Sequence, residues 1–273
     1  INFLSATFPN PFYPLPGSNI AGTTVSRSQL LLPYPEFTSI TGDEPQGYSW
    51  YHSLQVVMER RFQQGFTIQG NYTFSKMMEA TGYLNAGDAM PEKVISDLDR
   101  THRVSLSGIY ELPFGKGKPL LSAANPLVRQ VVGGWQVQLT AQMNTGAPLS
   151  FGNALLVSDV TNLPAAGQTL DRWFNIDAFN RNSTQQLASN LRTLSTRFSG
   201  VRAPGVEDWD ISAVKNFTFH EKWRLQFRAE ALNALNHSNL NPPNTTPTST
   251  LFGKITSTPG YPRFIHFGLK LTY

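Results

Sequence analysis

The strongest constraint on the fold is an alternation of apolar and polar residues that recurs between positions 52 and 76. A short polar segment, residues 63–65, divides this stretch into two halves. Alternation with a period of two places side chains on opposite faces of a strand, so the segment predicts a β-hairpin. One face carries Leu54, Val56, Met58, Phe66, Ile68, Gly70, Tyr72 and Phe74, and the other carries Ser53, Gln55, Glu59, Thr67, Gln69, Asn71, Thr73 and Ser75.

The length of the two halves indicates a membrane. Each is about ten residues long, as a tilted strand that crosses a bilayer must be, whereas strands of soluble sheets most often have about five or six residues. Tyr48, Trp50 and Tyr51 at one end of the hairpin, with Tyr72 and Phe74, resemble the aromatic belts found at membrane surfaces. The apolar face is therefore predicted to contact lipid.

Composition narrows the class of protein further. The 273 residues are 40% hydrophobic, and no run approaches the roughly eighteen apolar residues of a transmembrane helix, which excludes a helical membrane protein but not a barrel. The absence of cysteine excludes a disulfide framework and a thiolate metal site. The net charge of +4 comes from scattered residues, so no nucleic-acid partner is expected. The chain starts at Ile1 without a signal peptide, so we expect either a mature product or, in view of the strands described below, a piece of a longer protein.

Alternation continues beyond the hairpin and predicts about seven long strands in all. The five further strands are residues 103–112, 135–144, 209–219, 223–232 and 264–273. Asn125, Pro126 and Gly133 have the order of an N-cap, a first-turn proline and a C-terminal glycine, which predicts a short helix. The proline-rich residues 1–47 lack alternation and predict an extracellular loop segment, whereas residues 48–273 predict the C-terminal β-barrel segment.

The connections between these strands alternate between short and long. Outer-membrane barrels have tight periplasmic turns and extended extracellular loops. We therefore predict an all-β, antiparallel, up-and-down transmembrane barrel wall in the bacterial outer membrane, in contact with its lipid. The predicted periplasmic turns are residues 63–65, 114–134 and 220–222, and the predicted extracellular loops are residues 77–99, 145–207 and 233–260.

Several segments carry a family resemblance. They are Tyr51-His52-Ser53-Leu54-Gln55, Glu59-Arg60-Arg61-Phe62, Asn71-Tyr72-Thr73-Phe74-Ser75-Lys76, Asp99-Arg100-Thr101-His102-Arg103, Tyr110-Glu111-Leu112-Pro113-Phe114-Gly115-Lys116-Gly117, Gly133-Gly134-Trp135-Gln136, Trp209-Asp210-Ile211-Ser212, Lys215-Asn216-Phe217, Gln226-Phe227-Arg228-Ala229-Glu230, Asn233, Asn236-His237 and the last strand. In this order they resemble the C-terminal barrel region of TonB-dependent outer-membrane receptors, in particular the Oar-like group common in acidobacteria.

The resemblance implies a 22-stranded parent barrel with a carboxypeptidase-regulatory-like domain and a plug. Such a parent binds an extracellular ligand and imports it with energy from TonB. Plug, TonB box and earlier strands are absent from these residues, so TonB would act through the missing N-terminal part. The ligand stays unknown at this point.

Two groups of residues are candidate sites. Asp97, Asp99 and His102 lie close together in sequence and could bind a metal, but the sequence favours ion pairing with Arg100 and Arg103, and no metal site is predicted. The charged residues of the polar strand faces are predicted to pair across strands. These are Glu59, Arg61, Glu111, Asp210, Arg224, Arg228, Glu230 and Lys270.

Three aromatic residues of the longest loop are weak candidates for ligand binding. Trp173, Phe174 and Phe179 are apolar groups in a polar setting, and they could contact a ligand or pack the loop onto itself. The sequence leaves both roles open.

The last strand is a candidate assembly signal. Ile265, Phe267, Leu269, Leu271 and the terminal Tyr273 alternate without interruption, and Gly268 permits close backbone approach. By resemblance, the barrel assembly machinery recognises such a strand. The alternative is that Tyr273 belongs only to the aromatic belt.

Catalysis is not predicted, because no motif of hydrolases, zinc proteases or phosphate-binding loops is present, and no cofactor is expected. The competing function is a soluble or surface all-β binding module, for example a carbohydrate-binding sandwich. A second sheet packed on the apolar faces would favour that alternative.

Overall fold

The computed structural model describes residues 2–15, 20–37, 39–40, 42, 45–63, 65–186, 190–219 and 223–273. The chain divides into two compact units, Ile1–Pro45 and Gln46–Tyr273. None of the helices in these described ranges is long and apolar enough to cross a membrane.

The first unit contains the helices α1 (Asn2–Ser5) and α2 (Arg27–Leu30) and the strands β1 (Thr7–Pro9) and β2 (Thr24–Ser26). β1 pairs antiparallel with β2 over three residue pairs. The loop segment predicted for residues 1–47 therefore contains a short two-stranded ladder. The reason is a buried side chain: the Asn10 amide donates to the carbonyls of Ile20 and Gly22 and holds the two segments together.

The second unit consists of strands, one helix and three short 3₁₀ helices. The strands are β3 (Tyr48–Gln63), β4 (Phe66–Ala80), β5 (Val94–Ile95), β6 (His102–Glu111), β7 (Trp135–Asn144), β8 (Pro148–Ser150), β9 (Arg197–Arg202), β10 (Val206–Phe219), β11 (Trp223–Leu232) and β12 (Phe264–Thr272). The helix α3 spans Pro126–Val132, and the 3₁₀ helices are Ala165–Gly167, Ile176–Ala178 and Ser183–Gln185.

The long strands form one antiparallel meander in the order β3-β4-β6-β7-β10-β11-β12. Every long strand pairs with its nearest long neighbours in the chain, as in an up-and-down barrel wall. β5 adds a short pairing with β4, and β8 pairs with β9 in a separate two-stranded sheet. β3 and β12 are the outer strands of the meander and do not pair with each other, so the described sheet is open.

The register gives the meander one apolar and one polar face. In the middle of the sheet Leu139 lies between Gly108 and Ile211, while its neighbour Thr140 lies between Ser107 and Asp210. Apolar side chains on the first face stay exposed rather than entering a core. Among them are Leu54 (60% exposed), Phe267 (70%) and Leu269 (71%).

Several predicted boundaries shift. β4 continues to Ala80 because Met78 and Glu79 pair with β5, so part of the predicted loop 77–99 is strand. β10 begins at Val206 and shortens the predicted loop 145–207. Gln63 belongs to β3 rather than to the turn, and Gly65 at φ 83° supplies the left-handed residue there. Gln64 and the predicted turn 220–222 lie outside the described residues.

The predicted short helix is confirmed. α3 has Asn125 as its N-cap, with the side chain accepting from the Leu127 N–H at 2.9 Å, and Pro126 in its first turn. Gly133 ends the helix in an extended conformation, and the left-handed glycine that follows is Gly134, at φ 73°. The helix lies in the long connection between β6 and β7.

Candidate functional site

A hollow of about 810 Å³ opens on the polar face of the sheet, near the ends of the strands that carry the long loops. Its wall consists mostly of polar-face side chains of neighbouring strands, and residues 98–100 border it. Six of the wall residues are Asn71, Thr73, Arg103, Ser105, Gln142 and Asn144. We call this space the polar hollow. Its lining offers amide, hydroxyl and guanidinium groups to a polar ligand.

Asp99 fixes the chain segment that borders the polar hollow. This carboxylate is 1% exposed, and it accepts from the Met77 N–H at 2.6 Å and from the Arg202 guanidinium at 2.7 Å. A buried charge is tolerated only where it is paired and hydrogen-bonded. The salt bridge therefore ties residues 98–100 to β9, which belongs to the longest loop.

Further contacts join the same two loops. Arg197 on β9 forms a 2.6 Å salt bridge with Glu79, and both side chains are mostly buried. The backbone N–H of Arg192 donates to the Asn85 side chain at 2.6 Å, and the Asn85 amide donates back to the Arg192 carbonyl at 3.0 Å. The loops after β4 and after β7 are therefore connected through side chains about a hundred positions apart in sequence.

The predicted ion pairing of Asp97 and Asp99 with Arg100 and Arg103 is wrong. The Arg100 guanidinium donates to the backbone carbonyls of Asp97 and Asp99, while the carboxylates pair with Arg197 and Arg202. Residues 96–99 form a turn, in which the Asp99 N–H donates to the Ser96 carbonyl at 3.1 Å, and the Arg100 guanidinium folds back onto backbone carbonyls of this segment, which leaves the carboxylates to partners from a distant loop. Burial, together with the nearby Arg103 and Arg202 charges, lowers the pKa of Arg100.

His102 does not join these carboxylates. It lies on the apolar face, where its ring is 5.3 Å from that of Phe74 and its Nδ1 shares a 2.8 Å hydrogen bond with the Tyr72 hydroxyl. Within the described residues, no group of three or more His, Cys, Asp or Glu side chains could hold a metal ion.

The longest loop has a hydrophobic core of its own, which we call the loop core. It consists of the buried residues Leu149, Phe151, Phe174, Ala178, Phe179, Val201 and Phe252. Phe174 is 0% exposed, and its ring lies 5.2 Å from that of Phe252, which comes from the next long loop. Sequence analysis missed Phe252, because nothing in its local pattern marks a partner so far along the chain.

The three predicted ligand residues lie in or beside this loop core. Phe174 and Phe179 are buried in it, and Trp173 packs against it and donates from its indole N–H to the Arg202 carbonyl at 2.8 Å. Trp173 also borders a second cleft, of about 560 Å³, with His102 and His237. Their location in or beside the loop core agrees with packing of the loop, one of the two roles that the sequence left open. Ligand contact stays a prediction.

The comparison with protein-family models decides the family. Residues 4–266 match the model described as Outer membrane beta barrel domain. The chain belongs to that family. No curated protein and no solved structure matches the chain significantly.

Family membership places this outer membrane barrel domain in the bacterial outer membrane. The exposed apolar face of the meander is then the surface that contacts lipid, and the polar face is the lumen side. A soluble sandwich is excluded, since it would bury the apolar face.

The predicted assembly signal forms the outer strand of the barrel domain. Ile265, Phe267, Leu269 and Leu271 lie on the lipid face, and all four are more than half exposed. Tyr273 continues their alternation, with its ring 5.4 Å from that of Trp223. A Cβ at Gly268 would meet nothing within 4 Å, so the chain itself makes no close approach there. Recognition by the assembly machinery stays a prediction.

The predicted cross-strand pairing of lumen charges holds only in part. Glu230 pairs across strands with His266, but Arg228 pairs with Glu230 of the same strand and Arg61 with Glu59 of the same strand. On one face of a strand, residues two apart are separated by about 7 Å, a distance that long charged side chains can span, so both kinds of pair form.

Proposed function

We propose that this chain forms part of the wall and the extracellular mouth of a receptor that binds a polar ligand and imports it across the outer membrane. The observation that carries the proposal is the polar hollow of about 810 Å³, bordered by residues that a buried salt bridge holds in place. A border held this firmly gives the hollow a defined shape, and a preformed site costs little entropy on binding.

The long loops support a receptor rather than a passive wall. A loop of sixty residues exceeds what a strand connection requires, and loops of that length usually carry function. Here the loop has its own core and its own salt bridges to a neighbouring loop. The extracellular mouth is therefore a folded structure. Its opening or closure would accompany ligand capture.

Energy coupling to TonB is the finer part of the proposal. It rests on the resemblance of the strand segments to TonB-dependent receptors of the Oar-like type. TonB would act through a plug domain in another part of the full-length protein, and the barrel segment would supply the passage.

A comparison of two gene deletions tests the coupling. In the source organism, deletion of the gene for the full-length protein and deletion of the tonB genes should abolish uptake of the same compounds from a panel of labelled iron chelates, oligosaccharides and peptides. Uptake that is lost only in the first strain would show a passive pore and would refute energy coupling.

A second test addresses the polar hollow. Arg103→Gln removes a guanidinium from the hollow and leaves an uncharged polar side chain, and it should reduce uptake of a compound identified above while surface levels stay normal. Arg61→Gln is the matched control, because its side chain is 91% exposed and lies at the other end of the sheet. Equal uptake by the two variants would show that the ligand does not pass through the polar hollow.

A further inference from the structure

The helix α3 presents its apolar side chains outward. Leu127 is 77% exposed, Val131 66% and Val128 44%. Positions i, i+1 and i+4 of a helix share one face, so the three form a continuous apolar stripe. A helix on a water-exposed surface would turn such a stripe toward the protein. The stripe of α3 points the other way.

Lys215 holds α3 in this orientation. Its side chain projects from the lipid face of β10 and is 2% exposed. The ammonium donates to the carbonyls of Gln130, Val131 and Gly133 at 2.7, 2.6 and 2.7 Å. These three bonds use every donor of the ammonium and satisfy carbonyls that the end of a helix leaves open. A positive charge at this end also complements the helix dipole.

Two other contacts restrict rotation of the helix. The Trp135 indole N–H donates to the Val131 carbonyl at 3.0 Å. The backbone of Gly133 lies against that of Gly115, so closely that a Cβ on Gly115 would lie 2.8 Å from the Cα of Gly133. The helix end is thus bonded to the sheet and packed against its own connecting loop, and the apolar stripe cannot turn inward without breaking these contacts.

The contacts also place the helix end beside the lipid-contacting surface. Lys215 pairs in register with Trp135 and with Phe227, whose rings lie 6.1 Å apart on the lipid face. The connection that holds α3 is at the end of the sheet that has the short turn between β3 and β4, which in outer-membrane barrels is the periplasmic end. The apolar stripe therefore continues the lipid band at its periplasmic edge.

We propose that α3 is an interfacial anchor that inserts Leu127, Val128 and Val131 into the periplasmic leaflet of the outer membrane. The occupant is the boundary between phospholipid head groups and acyl chains, where amphipathic helices lie flat. Residues 112–134 contain no acidic residue, and the charges of Lys116 and Arg129 suit phosphate head groups, whereas Lys118 pairs with Glu111 at 2.8 Å. The proposal rests on the membrane location of the barrel and not on the import function.

Single-cysteine labelling tests the anchor directly, because this chain has no natural cysteine. Leu127→Cys and Val131→Cys in the full-length protein, with any native cysteines elsewhere replaced, would each carry an environment-sensitive fluorophore after reconstitution into phospholipid vesicles. Lipids with a nitroxide near the head group should quench both labels several-fold more than a label on Gln130→Cys. That control lies on the same helix but outside the stripe.

A label on Phe267→Cys serves as the reference for correct insertion, because Phe267 lies on the lipid face of β12. Quenching of this reference label by lipid shows that the barrel is inserted. If aqueous iodide then quenches the Leu127 label as strongly as the Gln130 label, the proposed anchor is refuted. Failure of uptake in the tests of the proposed function would leave these results unaffected.

The role of Lys215 has its own readout. Lys215→Met keeps much of the apolar stem and removes the ammonium. It should reduce lipid quenching of the Leu127 label while that of the Phe267 label persists. Unchanged quenching of the Leu127 label would refute the positioning role of Lys215.

Discussion

Apolar side chains behave in opposite ways in the strand wall and in the loop core. Phe267 of the wall is 70% exposed, whereas Phe174 of the loop core is 0% exposed. The two regions belong to one compact unit, but they face different solvents. A side chain in contact with acyl chains gains nothing from burial, whereas the same ring in an extracellular loop must leave water. The difference shows where the membrane ends and the aqueous mouth begins.

Charged pairs differ in the same way. In the wall, Arg228 and Glu230 pair two positions apart on one strand and remain partly exposed. Between the loops, Arg202 reaches Asp99 across 103 positions, and Asp99 is almost fully buried. A local exposed pair adds little stability, but removal of one partner of a buried pair is costly. The loops therefore depend on distant partners, and the wall does not.

The largest effect is expected from truncation in the loop core. Phe174→Ala should destabilise that core by about 3–5 kcal/mol, because it leaves a cavity among buried rings. Phe267→Ala should change stability far less, since acyl chains can fill the space. Limited trypsin digestion of the surface-exposed loops, with hydrogen exchange, would measure both variants. Equal protection would contradict the division between the two regions.

Breaking the buried salt bridge should have a similar effect on the contact between loops. Arg202→Leu leaves the Asp99 carboxylate buried without its partner, at a cost of about 3–5 kcal/mol. Arg172→Leu is the matched control, since its 2.6 Å partner Asp177 is exposed and the loss should stay below about 1 kcal/mol. Hydrogen exchange at Met77, whose N–H bonds to Asp99, would report the loss. Unchanged exchange in Arg202→Leu would count against the salt bridge as the connection.

Arginine substitutions at two neighbouring residues of β7 should distinguish the lipid face of the wall from its lumen face. Leu139→Arg places a charge in the lipid at mid-strand and should cost about 2–4 kcal/mol. Thr140→Arg places the same charge on the lumen face opposite Asp210 and should cost little. Heat-modifiable gel mobility of the full-length protein measures the folded fraction. A similar loss in both variants would refute the assignment of the faces.

Among these substitutions, that of the last residue should reduce stability least. Its effect on assembly is expected to be larger. Tyr273→Ser removes an aromatic pair with Trp223, worth about 0.5–1.5 kcal/mol. Trp223→Ser removes the same pair from the other side. If Tyr273 is an assembly signal, only Tyr273→Ser leaves the full-length protein in the periplasm in a protease-sensitive form. Normal surface levels of both variants, with lowered melting temperatures, would show that Tyr273 belongs only to the aromatic belt.

Sequence reasoning found the strands and both faces, but it found few of the site's contacts. Alternation located β7 to the residue, and Asn125 and Pro126 located the start of α3. The partners of Asp99 were predicted from sequence neighbours and lie in β9 instead. Lys215 is a charged residue on the otherwise apolar face of β10, and this exception could have marked it as a residue with a specific partner. The pattern of β10 alone does not identify the helix end that Lys215 binds.

The physical reason is the range of each interaction. A strand sets the direction of its side chains within two residues, and short turns bring neighbouring strands together, so the sequence by itself determined the meander and its lipid face. The loop core and the salt bridges bring together groups 70 to 120 positions apart, such as Phe174 with Phe252 and Glu79 with Arg197. Which of many apolar or charged residues meet there depends on how several loops fill one space, and only the tertiary structure decided it.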